Sequence, residues 1–259
     1  MGVLYHFPMR ILFLFYVGVL PVLAASVRAE TFILPPAEFD LVGAPQIVKA
    51  LQEDTLLDIA RRYDIGQEEI LHANPEVDRW LPGAGTEVTI PSHYVLPSTP
   101  RIGLVLNTPE MRLYYFPEPR PGVPAEVQTY PVSIGRMDWA TPLGETRLVS
   151  KEKDPAWRPP ESIRAEHEAE GDPLPRVVPP GPDNPLGRYA MRLGLPGYLI
   201  HGTNKAFGVG MRVSHGCIRM LPEDIETLFP QVAVGTPVRI INHPAKAGWY
   251  GDKLFLEIH

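Results

Sequence analysis

The stretch HGTNKAFGVGMRVSHGCIR, residues 201–219, joins a predicted strand to a predicted helix. The short apolar run Tyr198–Ile200 precedes it directly and predicts a strand that ends at His201. Beyond the stretch, Pro222 is typical of a first helical turn and predicts a helix over Glu223–Phe229. The intervening residues are polar and rich in glycine, so the sequence predicts a strand, a long loop and a helix in that order.

The single cysteine of the chain, Cys217, lies in this loop shortly before the predicted helix. Exported proteins use cysteines in pairs for disulfides, so an unpaired cysteine is either a small buried residue or a working thiol. The positive end of a helix and the nearby Arg219 cation both favour a thiolate. We therefore expect Cys217 to be a nucleophile.

Acyl transfer through a thiol also needs a base and hydrogen-bond donors for an oxyanion. His201 is the expected base, because it stands at a strand end and can be directed across the loop. His215 lies on a turn that Gly216 permits, and it is expected to support the oxyanion or the loop. Two alternatives stay open, a purely structural His215 and a zinc site of His201, His215 and Cys217 that lacks an obvious fourth ligand.

The N-terminal residues predict export. Arg10 precedes the apolar run Ile11–Ala25, and Val27-Arg28-Ala29 supplies the small residues of a cleavage site. Residues 1–29 are therefore predicted to be a signal peptide that leads to the periplasm, with no stable membrane span after cleavage. An uncleaved anchor and a start at Met9 are the alternatives. The formal net charge is −6 and no basic patch stands out, so nucleic acid is not an expected partner.

Residues 46–92 predict a compact module with the order strand, helix, helix, strand. A short strand at Gln46–Val48 is followed by a helix that starts at Asp54-Thr55. A second helix is predicted at Gln67–Ala73 and a closing strand at Glu87–Ile90.

The sequence of the remaining residues predicts strands. The predicted fold class is therefore mainly β (α+β). The 31 prolines indicate rigid, extended connections rather than a helical bundle. A Pro-rich segment is expected at 30–45, a linker at 93–100, a catalytic domain at 101–242 and a C-terminal hairpin extension at 243–259. Residues 150–186 hold many prolines and charges and predict a long irregular segment that serves as a functional loop or lid.

The compact module resembles the LysM peptidoglycan-binding module. The matching segments are Glu53-Asp54-Thr55-Leu56, Ile59-Ala60-Arg61-Arg62-Tyr63, Ile70-Leu71-His72-Ala73-Asn74-Pro75 and Leu81-Pro82-Gly83. The resemblance implies binding to the glycan strands of peptidoglycan through backbone groups near the two helix ends. A small packing domain without a ligand is the alternative.

The opening stretch resembles the signature of L,D-transpeptidases, the YkuD-type domain. Its matching segments are His201-Gly202-Thr203 and Ser214-His215-Gly216-Cys217-Ile218-Arg219. Thr141-Pro142-Leu143-Gly144, Pro222-Glu223-Asp224-Ile225 and the tail from Gly248-Trp249 are similar to the ErfK/YbiS/YcfS/YnhG group. The resemblance implies a β-sandwich-like catalytic domain preceded by a small βααβ LysM module.

The resemblance also implies roles for the site residues. Cys217 would attack the carbonyl of meso-diaminopimelate, the third stem-peptide residue, so that the terminal D-Ala leaves and a thioester forms. His201 would be the general base, oriented by a backbone carbonyl, and backbone amides around Gly216 would hold the oxyanion together with His215. Arg219 would support the loop or a substrate carboxylate. Carbapenems would acylate Cys217. The residues expected to contact substrate are Gly202, Thr203 and Ser214.

The predicted function is that of a periplasmic L,D-transpeptidase that needs no cofactor or metal. The acyl acceptor would be the C-terminal Lys of an outer-membrane lipoprotein or the diaminopimelate of another stem, and the LysM module would raise the local concentration of peptidoglycan. Two alternatives stay open. One is an amidase or carboxypeptidase of the same fold that hydrolyses a wall peptide bond, and the other is a non-catalytic peptidoglycan-binding protein.

Overall fold

The computed structural model describes residues 30–259, so the predicted signal peptide at 1–29 lies outside the described residues. Within residues 30–259, no helix has the length and apolar character that crossing a membrane requires.

The α-helices are α1 (Leu56–Arg62), α2 (Gln67–Ala73), α3 (Glu161–Ala169) and α4 (Pro222–Leu228). The strands are β1 (Glu30–Ile33), β2 (Leu41–Gly43), β3 (Gln46–Lys49), β4 (Glu87–Ile90), β5 (His93–Val95), β6 (Gly103–Asn107), β7 (Arg112–Phe116), β8 (Glu126–Gly135), β9 (Gly144–Lys153), β10 (Tyr189–Leu193), β11 (Leu199–His201), β12 (Arg212–Ser214), β13 (Ile218–Met220), β14 (Pro237–Ile241), β15 (Ala245–Tyr250) and β16 (Lys253–Ile258).

Two layers of strands enclose the main core, and the long strands β8 and β9 run through both layers. The first part of β8 pairs with β1 and β7, and its last part pairs with β13 and β12. In the same way β9 pairs first with β14 and then with β10. Because β6 connects β14 to β7, the pairing returns to β8 and the layers close on each other. The mainly β, sandwich-like fold class is confirmed.

Aliphatic and aromatic side chains from both layers fill the space between them, and α4 adds Ile225 and Leu228 to the same cluster. Complete burial of one such side chain contributes about 1.5–3 kcal/mol. The strands nearest the candidate site supply Ile200 and Ile218, which are almost fully buried. The strands that carry the site are therefore anchored in the main core.

The structure differs from the sequence prediction at residues 93–100, which form no simple linker. His93–Val95 is strand β5, which pairs with β2, and the Tyr94 side chain packs in a second apolar cluster behind β6 and β7. This pairing joins residues far apart in the chain, so local sequence carries little sign of it. The predicted irregular segment 150–186 likewise contains the end of β9 and helix α3.

The compact module has the expected element order, β3, α1, α2 and β4. Its helix α1 begins with a capping box, in which the Thr55 hydroxyl accepts from the Asp58 N–H and the Asp58 carboxylate accepts from the Thr55 N–H. Strands β3 and β4 pair antiparallel beneath the helices, around a core of their own. Its identification as a LysM module and its exact limits stay predictions.

The module is docked on the loop between β11 and β13, residues 202–217, which we name the catalytic loop. The Gln67 N–H donates to the Val209 carbonyl and the Glu68 N–H to the Gly210 carbonyl, both at 3.2 Å. A helix cannot satisfy its own first N–H groups, so the catalytic loop completes the start of α2. The Arg61 guanidinium also donates to both carboxylate oxygens of Glu223, at 2.6 and 3.0 Å.

A buried arginine strengthens the same junction. Arg112 on β7 has no exposed surface, and its guanidinium donates to the Glu69 carboxylate at 2.7 Å and to the Asp64 carbonyl at 3.2 Å. The Tyr94 ring lies 4.2 Å from the guanidinium carbon. Because an unpaired buried charge is very costly, removal of either partner would weaken the contact between module and sheet.

The close approach of module and catalytic loop predicts a marked effect of Gly210→Ala. Gly210 has a φ of +86°, and an added Cβ would lie 2.2 Å from the Gln67 nitrogen. Strain and clash together should destabilise the fold by about 2–4 kcal/mol. We expect Tm to fall by about 5–15 °C in a calorimetric scan.

Gly208→Ala is the matched control. Gly208 lies two residues earlier in the same loop, and an added Cβ there would meet no heavy atom within 4 Å. Its Tm should stay within about 2 °C of the wild type. Equal Tm values for the two variants would contradict the tight contact described above.

Candidate active site

Strands β11 and β13 bring the signature residues together. The strands are parallel neighbours, with Ile200 opposite Ile218 and His201 opposite Arg219. Side chains alternate between the two faces of a strand, and Ile200 and Ile218 point into the main core. His201, Cys217 and Arg219 therefore share the opposite, outer face.

The turn before Cys217 is held by a threonine from another part of the chain. The Thr141 hydroxyl donates to the Gly216 carbonyl at 2.8 Å and accepts from the Gly135 N–H at 2.9 Å. Gly216 has a φ of +98°, and an added Cβ would lie 2.7 Å from the Tyr198 ring. Thr141 was not expected as a site residue, although its segment is part of the family resemblance.

Ser214 closes the same turn from the inside. Its hydroxyl donates to the Cys217 carbonyl at 2.5 Å and accepts from the Gly216 N–H at 3.1 Å. The Gly216 N–H therefore already has a buried partner in the resting site, and its expected role as an oxyanion donor stays a prediction. Ser214 itself is fully buried, so it shapes the turn and has no surface for substrate.

Two further residues expected to contact substrate are largely buried. Thr203 is 5% exposed, and its hydroxyl accepts from the Lys205 N–H at 3.0 Å, which makes it part of a turn. Gly202 is buried, and an added Cβ would approach Ile225 and the Leu186 carbonyl. Both residues line a surface cavity together with Arg188, and substrate contact at these positions stays a prediction.

His201 is held in one orientation by the backbone. Its Nδ1 lies 2.6 Å from the Gly202 carbonyl oxygen, so Nδ1 carries the proton and Nε2 is unprotonated in this tautomer. Burial, and after it the Arg219 cation, lower the pKa of His201 to about 4, although the Gly202 and Leu186 carbonyls oppose this shift. The imidazole is therefore neutral at physiological pH, as a general base must be.

Burial favours the neutral thiol form of Cys217, a charge state that the sequence left open. Strand β13 separates Cys217 from α4, so the thiol is not at a helix start. Burial raises its pKa, and the Arg219 and Arg192 cations offset this only in part. The sulfur lies 3.6 Å from the Gly197 carbonyl oxygen, which accepts its weak hydrogen bond.

Arg219 acts electrostatically on both reactive groups. It affects the charge state of both His201 and Cys217, and burial lowers its own pKa. Arg192 is on β10 opposite Leu199, so by the alternation of strand side chains it faces the same way as His201. The outer face thus carries two cations beside the thiol, which suits an anionic substrate or intermediate.

His215 contacts helix α3, which the sequence did not predict. Its Nε2 lies 2.8 Å from a carboxylate oxygen of Glu166, and its ring meets the Trp139 ring edge-to-face at 5.2 Å. Glu166 also accepts from the Arg136 guanidinium. Helix α3 lies in a polar, Pro-rich segment, and the only sign of a helix in that segment is the charged run after Pro160.

Within residues 30–259, the one cluster of three potential metal ligands is Glu110, Glu257 and His259, which lies away from the signature. The buried Lys246 ammonium is 2.9 Å from Glu110 and 3.1 Å from Glu257 and already neutralises these acids. The zinc alternative finds no support in the described residues, because His201, His215 and Cys217 do not form such a cluster.

Comparison with known proteins gives a consistent family. The model of the L,D-transpeptidase catalytic domain (YkuD) matches residues 101–240. The chain is 47% identical over 229 residues to the probable L,D-transpeptidase YcfS of Escherichia coli (strain K12), which covers 86% of this chain and 70% of that protein. It is 43% identical over 235 residues to the probable L,D-transpeptidase ErfK/SrfK of Salmonella typhimurium, covering 89% and 74%. The solved catalytic domain of the E. faecium L,D-transpeptidase aligns with 22% identity and a TM-score of 0.41, over 56% of this chain and all of that one.

The charge states predict the pH dependence of thiol alkylation. A raised thiol pKa and a His201 pKa of about 4 leave both groups neutral between pH 5 and 8. The rate with iodoacetamide should therefore rise about tenfold per pH unit up to at least pH 8.5, the ordinary thiol range. Mass spectrometry of the intact protein identifies the adduct unambiguously, because the chain has one cysteine.

A rate plateau below pH 7 would contradict this prediction, since it would require a resting thiolate–imidazolium pair. Cys217→Ala is the control and should give no adduct at any pH.

Proposed function

The chain belongs to the YkuD family and is an L,D-transpeptidase, and we propose that it works through a thioester on Cys217. The observation that carries the proposal is the shared outer face of β11 and β13, where Cys217, His201 and Arg219 lie together. A nucleophile, a neutral base and a cation are the groups that acyl transfer requires.

In the first half of the reaction, the Cys217 sulfur attacks the carbonyl carbon of the diaminopimelate residue next to D-Ala. The thiol proton passes to Nε2 of His201 as the carbon–sulfur bond forms. The imidazolium then gives this proton to the departing nitrogen, so that D-Ala leaves as an amine and the thioester remains. Proton transfer during attack suits two groups that are both neutral at rest.

In the second half, an amine attacks the thioester carbonyl and His201 takes the proton of that amine. Collapse of the intermediate forms the new amide and returns the proton to the sulfur. The Gly202 carbonyl supports this cycle, because it holds Nδ1 protonated and directs Nε2 to the reacting atoms. Water in place of the amine would give a carboxypeptidase.

The Gly216 N–H already donates to the Ser214 hydroxyl at rest, so the oxyanion needs further donors. The Cys217 N–H and the Arg219 guanidinium are the groups that we propose for this task. His215 can donate from Nδ1 only as an imidazolium, because its Nε2 proton is directed at the Glu166 carboxylate.

We further propose that the enzyme acts in the periplasm and that the module holds it on peptidoglycan glycan strands. The loop before α1 and the loop after α2 are the segments that the resemblance implicates in glycan binding, and the loop after α2 leaves the end of that helix opposite to the one that contacts the catalytic loop. In the second of these loops, Trp80 is 58% and Leu81 79% exposed. Exposed apolar side chains of this size often mark binding surfaces.

A disaccharide-tetrapeptide tests the acyl-donor chemistry. Wild-type protein should release D-Ala and gain the mass of the disaccharide-tripeptide acyl group on Cys217. Cys217→Ala should show neither, and His201→Gln should slow acylation by about 10²–10⁴-fold because the base is lost. Turnover that persists in Cys217→Ala would refute the thioester.

The acceptor is read from the same mixture by mass spectrometry. A peptide that ends in the lipoprotein-type Lys, or a second stem, should appear joined to the tripeptide. We propose the Lys acceptor, on the resemblance to the ErfK/YbiS group. Free tripeptide in the presence of both amines would instead indicate hydrolysis.

Binding to insoluble peptidoglycan tests the module. Trp80→Ala removes an exposed ring and should weaken sedimentation with the polymer about 5–30-fold. Val123→Ala removes exposed apolar surface from the catalytic domain and should bind as the wild type does. Equal binding by both variants and the wild type would contradict a glycan surface at Trp80.

A further inference from the structure

Helix α3 is held at the candidate site by polar contacts. It has nine residues, and none of its side chains is buried. An isolated helix of this length is marginal in water, so contacts with the rest of the protein must hold it. The half-buried residues of the helix follow the spacing of one helix face, and they are Ile163, Arg164, Glu166 and His167.

Glu166 joins α3 to both loops that shape the turn at Cys217. One carboxylate oxygen accepts from the Arg136 guanidinium, and the other lies 2.8 Å from Nε2 of His215. Arg136 begins the turn that carries Thr141, whose hydroxyl holds the Gly216 carbonyl. One carboxylate therefore connects a helix, the Thr141 turn and the end of the catalytic loop.

The contact fixes the chemical form of His215 as well as its direction. A carboxylate only accepts hydrogen bonds, so Nε2 of His215 carries a proton and Nδ1 is the variable nitrogen. The Trp139 ring packs edge-to-face at 5.2 Å and restricts the imidazole from another side. Without Glu166 the ring could rotate or change tautomer, two residues from the nucleophile.

We propose that Glu166 is a positioning residue for transpeptidation, which acts through His215 by holding its ring and helix α3 against the Cys217 turn. The inference rests on the proposed role of Cys217 as nucleophile. Charge-assisted hydrogen bonds from Arg136 and His215 give the contact its strength and direction. A misplacement of about 1 Å at a reacting group can cost about 100-fold in rate.

The test is the single-turnover rate of Cys217 acylation by the disaccharide-tetrapeptide. Glu166→Gln keeps the shape but removes the charge and one acceptor, and it should lower the maximal rate about 10–100-fold. The half-saturating substrate concentration should change less than about threefold, because the donor-binding surface is intact. Glu166→Asp keeps the carboxylate and should recover part of the rate. Glu168→Gln, on the exposed side of the same helix, should match the wild type.

A double-variant cycle separates a positioning role from a general loss of structure. If Glu166 acts through His215, adding Glu166→Gln to His215→Gln should slow acylation less than about twofold further. Multiplicative effects of the two changes, or a wild-type rate in Glu166→Gln, would overturn the proposal. A fall in rate that only tracks a lower Tm, with no recovery in Glu166→Asp, would also overturn it. Failure of the proposed function is seen separately, as acylation that survives Cys217→Ala.

Discussion

The parallel pairing of β11 with β13 is the constraint on which the candidate site depends. With this pairing, Ile200 and Ile218 lie in the core, and the side chains of His201, Cys217 and Arg219 lie together on the opposite face. Parallel neighbours cannot be joined by a tight turn and need a connection of a dozen or more residues. The catalytic loop is that connection, so the geometry that assembles the site also creates a long segment that needs outside support.

The supports come from three separate parts of the chain. The first N–H groups of α2 bind the Val209 and Gly210 carbonyls, and Thr141 holds the Gly216 carbonyl. Glu166 reaches the same region from α3. Each support satisfies a polar group that would otherwise be unpaired, so they stabilise the loop without filling the outer face that substrate must reach.

The sequence predicts the module better than the surroundings of the thiol, for a physical reason. The limits of α1 and α2 depend on local signals such as the Thr55 cap and the Asn74-Pro75 stop, and both helices appear where expected. β5 depends on pairing with distant β2, and α3 has no buried face to give an apolar period. The resting charge of Cys217 stayed open in the sequence, because the run Ile218–Met220 is too short to indicate the strand β13 that separates the thiol from α4.

The junction of module and catalytic loop carries more acidic than basic side chains. Their ionisation affects how firmly the two parts stay together. Asp64 and Asp224 are both buried. Burial raises the pKa of Asp64 to about 6, and burial together with the negative charge of Asp64 raises the pKa of Asp224 well above its ordinary value. Protonation lets the pair remain buried, so the junction is most stable at lower pH and weakens as the pH rises through the raised pKa values. The Arg112 cation offsets part of this cost, because it lowers the pKa of both acids. A tether that only raised local concentration would need no such contact, since a flexible linker would serve. The backbone bonds from α2 to the catalytic loop instead make the module part of the structure that orients His201 and Cys217.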